Sequence, residues 1–227
     1  TLEAVYSSNI CIGGETNGKF VLDGFSLLEN LTITFYSNIE EISFSSTDER
    51  VNLKNLKLLA FNCKKISLPF EKFPNIEKLD LTDCEPLATF NYSENSPATN
   101  NTFNILNYNK LKYLDISNTE MTSIVGNYVL EAEQDFSMKI YATHNDFKSM
   151  TLHKRKIEEM IFSYDGFSTI ECNSCSFKDD TLDLSNYNAL TKITLTICGL
   201  AALTINKNTV NLDASDNSFT SISVDEL

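Results

Sequence analysis

The sequence predicts a solenoid, a coil of short parallel strands stacked one turn on the next. Three observations lead there. The line "LKYLDISNTEMTSI" (111–124) returns almost unchanged as "TVNLDASDNSFTSI" (209–222). Within each line the apolar residues alternate with polar ones, the period of a strand. The 227-residue chain is 42% apolar, enough for a core, yet it shows no composition break that would divide it into domains.

Numbering the phrase from 1 to 14, apolar residues fall at 1, 4, 6, 11 and 14, with a small or polar residue at 9. "LENLTITFYSNIEE" (28–41) is a loose first copy, with Tyr36 at position 9. "NLKLLAFNCKKISL" (55–68) follows with Cys63 at that position, and "IEKLDLTDCEPLAT" (76–89) with Cys84. The 111–124 copy places Thr119 there. "SMKIYATHNDFKSM" (137–150) and "IEEMIFSYDGFSTI" (157–170) continue with Asn145 and Asp165. "LTKITLTICGLAAL" (190–203) supplies Cys198, and the 209–222 copy supplies Asn217. Between Cys84 and Thr119, and between Asp165 and Cys198, the intervals exceed one turn, which predicts insertions near 85–110 and 171–189, with a degenerate repeat the alternative in the second, around "TLDLSNYNAL" (181–190). Residues 1–27 are read as a capping segment and 28–227 as about eight repeats of a single domain.

These phrases resemble the leucine-rich repeat, L-x-x-L-x-L-x-x-N/C-x-L, over nearly the whole chain from Leu28. The resemblance implies an α/β-type leucine-rich repeat solenoid, with a parallel sheet on the concave face and an irregular or short-helical convex side. Residues 1, 4, 6, 11 and 14 then point into the coil, where each turn depends on its neighbours for burial. A position-9 Asn, Thr or Cys meets backbone groups stranded inside by the sharp turn, each worth about 1–3 kcal/mol if left unmet.

Six cysteines are present. Cys63, Cys84 and Cys198 occupy position 9 and read as buried ladder thiols; Cys11 stands alone. Cys172 and Cys175 form C-x-x-C, for which a local disulfide is expected in an extracellular chain. The βαβ context of a redox motif is missing, and so is a second ligand pair for zinc, so no metal is expected. Sequons lie at Asn30, Asn91 and Asn100, the last two in the polar stretch "NYSENSPATNNTF". No nucleophile elbow, H-E-x-x-H helix or phosphate loop occurs, so the chain is read as a non-enzyme that needs no cofactor. "KRK" at 154–156 reads as a solvated basic run. With 31 acidic and 18 basic residues, a net charge of −13 argues against nucleic acid or an anionic membrane as partner. No apolar run reaches the roughly 18 residues of a membrane span. The chain opens at Thr1 without Met, so either a leader has been removed or the sequence starts inside a longer chain, and "VDEL" at its end reads as the start of another repeat.

Leucine-rich repeats usually bind proteins through the outward side chains of their strands. Those side chains are Asn30, Lys57, Lys78, Tyr113, Lys139, Glu159, Lys192 and Asn211 at position 3, with Asp115, Tyr141 and Ile161 among those at position 5. The ligand face is therefore expected at Tyr113, Asp115, Lys139, Tyr141, Ile161 and Lys192, with the large residues of consecutive turns forming one patch. The Asn, Lys, Ile and Phe usage and the irregular repeats make the chain look like the secreted leucine-rich immune proteins of insects, particularly mosquitoes. In those proteins the repeats act with a partner chain and recognise a complement-like protein; the cysteine cluster and coiled coil that typically follow are not in this sequence. The function expected is an extracellular recognition module in innate immunity, with a complement-like or pathogen-associated protein as partner. The alternatives are a receptor or adhesion ectodomain and an intracellular scaffold.

Overall fold

The computed structural model describes residues 2–6, 19–22, 27–35, 41–44, 52–60, 73–84, 91–93, 96–97, 101–105, 108, 110–126 and 137–225. They form a parallel β-solenoid of about seven turns. A front sheet of eight strands runs through Leu2–Tyr6, Asn30–Phe35, Asn55–Ala60, Lys78–Asp80, Tyr113–Asp115, Met138–Ala142, Lys156–Phe162 and Ser176–Phe177. Behind it, a rear sheet of six strands runs through Thr102–Asn104, Ser123–Gly126, Ser149–His153, Thr169–Asn173, Lys192–Thr196 and Asn211–Asp213. A third sheet joins Thr181–Asp183, Ala202–Asn206 and Ser221–Asp225.

The expected helical or irregular convex side is corrected by this arrangement. Opposite the front sheet stands a second parallel sheet, and the one helical turn among the described residues is the 3-10 turn Lys178–Asp180. The reason lies two residues past the phrase. Position 14 is apolar, and position 16 is again apolar or small: Ile124 and Gly126, Met150 and Leu152, Ile170 and Cys172, Leu203 and Ile205. Alternation at period two continues, so the chain forms a strand on both sides of the coil.

Inside, the phrase holds. Leu114, Ile116, Met121 and Ile124 are buried, as are Ile140, Ala142, Phe147 and Met150, and Ile193, Leu195, Leu200 and Leu203. At position 8 the backbone adopts positive φ turn after turn, at Asp83, Asn118, His144, Ile197 and Asp216. That residue makes the sharp corner and leaves position 9 to meet the exposed backbone. Cys84 Sγ donates to the Leu58 carbonyl at 3.2 Å. Asn145 Nδ2 donates to the Ile116 carbonyl at 2.8 Å while its Oδ1 accepts from Thr119 N–H at 2.7 Å. Asn217 accepts from Cys198 N–H at 3.0 Å and donates to the Leu195 carbonyl at 2.6 Å.

Three readings are revised by the register. Leu56 and Leu58 pair with Leu79 and, by continuation, Leu81, so the 55–68 phrase slides by two and Lys57 stands at position 5, not 3. Asp165 is exposed and takes no part in the ladder. At that corner the Tyr187 hydroxyl accepts the Phe162 N–H at 3.4 Å instead, and Phe147, Phe162, Phe167 and Tyr187 pack as one aromatic cluster. Arg155, in the basic run read as solvated, is buried; its guanidinium donates to the Ile105 and Tyr108 carbonyls at 3.1 and 3.5 Å. It stands at position 9 of an overlapping phrase, "FKSMTLHKRKI" (147–157), whose strand lies in the rear sheet. A sister phrase, "FSTIECNSCSF" (167–177), puts Cys175 in the same place, with Sγ donating to the Leu152 carbonyl at 3.5 Å. The stretch 171–189 carries the strands Ser176–Phe177 and Thr181–Asp183, the second inside the segment 181–190 named as a degenerate repeat. Tyr36, Cys63 and Cys11 lie outside the described residues.

Candidate functional site

The outer face of the front sheet carries two readable columns. Position 3 runs Asn30, Asn55, Lys78, Tyr113, Lys139, Glu159, and position 5 runs Thr32, Lys57, Asp80, Asp115, Tyr141, Ile161. Successive strands of a sheet lie about 4.8 Å apart, so these residues touch their column neighbours. Tyr113 and Tyr141 stand on adjacent strands, one column apart, with ring centroids at 5.4 Å and planes tilted by 41°. Lys78 Nζ lies 4.5 Å from the Tyr113 ring centroid, close enough for a cation–π contact. Ile161 pairs directly with Tyr141 and stays half-exposed.

Hydroxyls at the rim are held by carboxylates. Tyr113 donates to Asp115 at 3.2 Å, and Tyr141 donates to Glu159. Asp115 is itself fixed by the Ser117 N–H at 2.9 Å. Burial, then the Asp115 charge, pushes the Tyr113 phenol up, and burial with the Glu159 hydrogen bond pushes Tyr141 up to about 12. Lys139 is pushed up by its hydrogen bond and ion pair with Glu158, 3.1 Å away, and also faces Glu159 at 3.7 Å. The result is a pair of half-exposed aromatic rings whose hydroxyls are already oriented, set in a frame of Lys78, Lys139, Asp115 and Glu159. Such a surface presents large contact area at little entropic cost.

Five of the six residues expected on the ligand face, Tyr113, Asp115, Lys139, Tyr141 and Ile161, come together here. Lys192 does not. It pairs with Thr169 and Asn211 in the rear sheet and forms an ion pair with Glu171. Its phrase matches the others residue by residue, but its first strand stacks on the rear sheet, a placement decided by the chain's path. Lys78 and Glu159 belong to the patch and were legible as position-3 neighbours of Tyr113 and Lys139.

The expected Cys172–Cys175 disulfide is also corrected. Cys84, Cys172, Cys175 and Cys198 are all buried free thiols. Cys172 and Cys175 occupy inward positions 6 and 9 of the 167–177 phrase, so both serve the core. Their mutual hydrogen bond pushes the Cys172 thiol up and holds Cys175 down, and burial raises Cys198 to about 11. Of the sequons, Asn30 is half-exposed and its Oδ1 accepts from Asn55 Nδ2. Asn91 lies on a short hairpin strand with its side chain outside the described residues, and Asn100 lies outside them altogether. Among the described residues no helix is long and apolar enough to cross a membrane. Comparisons with protein-family models, with curated proteins and with solved structures return no match.

Proposed function

We propose that this chain is a non-catalytic protein-recognition module acting outside the cell in innate immunity, and that the Tyr113–Tyr141–Ile161 patch is its contact surface. The observation that carries the reading is the pair of half-exposed tyrosine rings, 5.4 Å apart, on the outer face of a parallel sheet. Aromatic anchors edged by charge are enriched among the residues that dominate interface energies. The sheet beneath is fixed by its own core, so the outward side chains need no reordering to bind. A complement-like or pathogen-associated protein is the partner this reading implies.

The test is capture from the organism's extracellular fluid on immobilised protein, run beside the Tyr113→Ala/Tyr141→Ala double variant. A specific protein retained by the native chain and lost from the variant supports the reading. Tyr141→Ala alone should weaken that partner by about 1–3 kcal/mol with folding intact. Equal retention by both proteins moves the contact elsewhere.

The second reading is an intracellular scaffold. Its support is the set of four buried free thiols, a state that a reducing compartment preserves. Glycan mass on Asn30, Asn91 or Asn100 of the natural protein decides against it.

A further inference from the structure

The front sheet does not end on a full strand. Ser176 and Phe177 pair with Lys156 and Ile157 at the start of the strand Lys156–Phe162. The chain then turns away through Lys178–Asp180, with Asp179 and Asp180 at positive φ, and continues as Thr181–Asp183 in the third sheet. Among the described residues, no strand pairs with Glu159–Phe162 on that side. A wedge opens between the parting strands, a cleft of about 210 Å³. Its floor is apolar, with Ile157, Met160, Phe177 and Leu182, and its rim carries Glu158, Glu159 and Asp183 against Lys178.

The backbone along this edge faces the cleft. In the inner turns the position-6 N–H donates to the next strand, as Ile116 N–H does to the Tyr141 carbonyl. The equivalent N–H here belongs to Phe162 and reaches the Tyr187 hydroxyl, a side chain standing where a strand would be. Met160 is two residues earlier in the same strand, so its N–H and C=O point to the same open side. An edge of this kind is a template for an added strand. The register shift between Met138 and Lys139 leaves Glu158 as an extra residue beside the opening, where it adds a carboxylate to the rim. Lys139 partly offsets the acids from the patch side, at 3.1 Å from Glu158. Carboxylates still outnumber the ammonium groups, in a chain of net charge −13.

We infer that this cleft takes an extended peptide as an added strand along Glu159–Ile161, hydrogen-bonded to the Met160 N–H and C=O and stopping at Tyr187, with an apolar side chain on Met160 and Leu182 and a Lys or Arg at the Glu158–Asp183 rim. The site goes beyond the aromatic patch and shares Glu159 with it. The probe is a fluorescein-labelled peptide of alternating Lys and Leu, roughly eight residues long, the length of an ordinary strand. The native chain should bind it, read by anisotropy. Glu158→Lys, a change at an exposed side chain, and Met160→Lys should each weaken binding at least about tenfold. N-methylation of alternate peptide amides should abolish binding in one phase of the alternation and spare it in the other, because one row of amides faces the edge. Absence of binding, equal binding by Glu158→Lys, or indifference to N-methylation in both phases overturns the inference. Loss of the peptide in Tyr141→Ala with no effect of Glu158→Lys also overturns it, and leaves the aromatic patch as the binding surface.

Discussion

The turns around 111–173 and the turns around 190–225 are written in the same phrase but are not built the same way. In the earlier turns the position-4 strand lies in the front sheet, and position 14 lies in the rear sheet. In the later turns the position-4 strand lies in the rear sheet, and position 14 passes to the third sheet. The exchange happens within 171–189, where a front-sheet strand and a third-sheet strand share one crossing. The two regions also differ in cover. Leu114 at position 4 is fully buried, whereas its counterpart Leu212 is 41% exposed and Ile222 is 50% exposed. The same residue type at the same place in the phrase is core in one turn and surface in the other. The phrase specifies which side chains point inward, and a neighbouring turn decides whether inward means buried.

Mutations can separate these two contributions. Leu114→Ala should cost about 2–5 kcal/mol, since it empties a closed core, while Leu212→Ala should cost under about 1.5 kcal/mol. Urea unfolding of both variants measures the gap. Equal losses would mean that the last turn is covered in solution.

Next in size is the ladder. Asn145→Ala removes the donor to the Ile116 carbonyl and the acceptor for Thr119 N–H, and should cost about 1–3 kcal/mol. Asp165→Ala, at the same phrase position in the following turn, should change stability by less than about 0.5 kcal/mol, because its side chain is exposed. A large loss for Asp165→Ala would restore it to the ladder.

Smaller still is the corner. Ile197 holds φ of 56°, a conformation that a β-branched residue adopts only under strain, and its side chain is 55% exposed. Ile197→Asn should raise stability by about 1 kcal/mol, as Asn tolerates this region. His144→Asn at the same position of an inner turn should do less, since His already visits the region more readily than Ile. A thermal melt that falls for Ile197→Asn would show that the Ile side chain contributes packing.

The smallest effect concerns the patch itself. Tyr113 and Tyr141 have folded-state values raised above the ordinary 10, so the fold favours their neutral forms. Their contribution to stability is complete below about pH 10, where the unfolded phenols begin to ionise, and is lost as pH rises through about 12 for Tyr141. A spectrophotometric titration should show both tyrosines ionising later than exposed ones. Ordinary titration of Tyr141 would mean that the Glu159 hydrogen bond is absent in solution.

Much of this molecule was legible. Apolar residues at 1, 4, 6, 11 and 14, and the small polar group at 9, state a physical requirement that each turn meets with its own residues, so Leu114, Ile193, Cys84 and Asn145 fell where the phrase put them. The second sheet was written as well, in the apolar pairs at 14 and 16, and Arg155 and Cys175 repeat the ladder rule on that side. What a one-dimensional pattern cannot carry is which strand lies beside which. That depends on how much chain separates successive phrases and where it crosses the coil. The tertiary path alone set Lys192 apart from Tyr113, while the meeting of Tyr113 and Tyr141 followed from their places on consecutive turns. It also parted the strands at Phe177. Local alternation fixes the direction of a side chain; only the stacked neighbour supplies what that side chain meets.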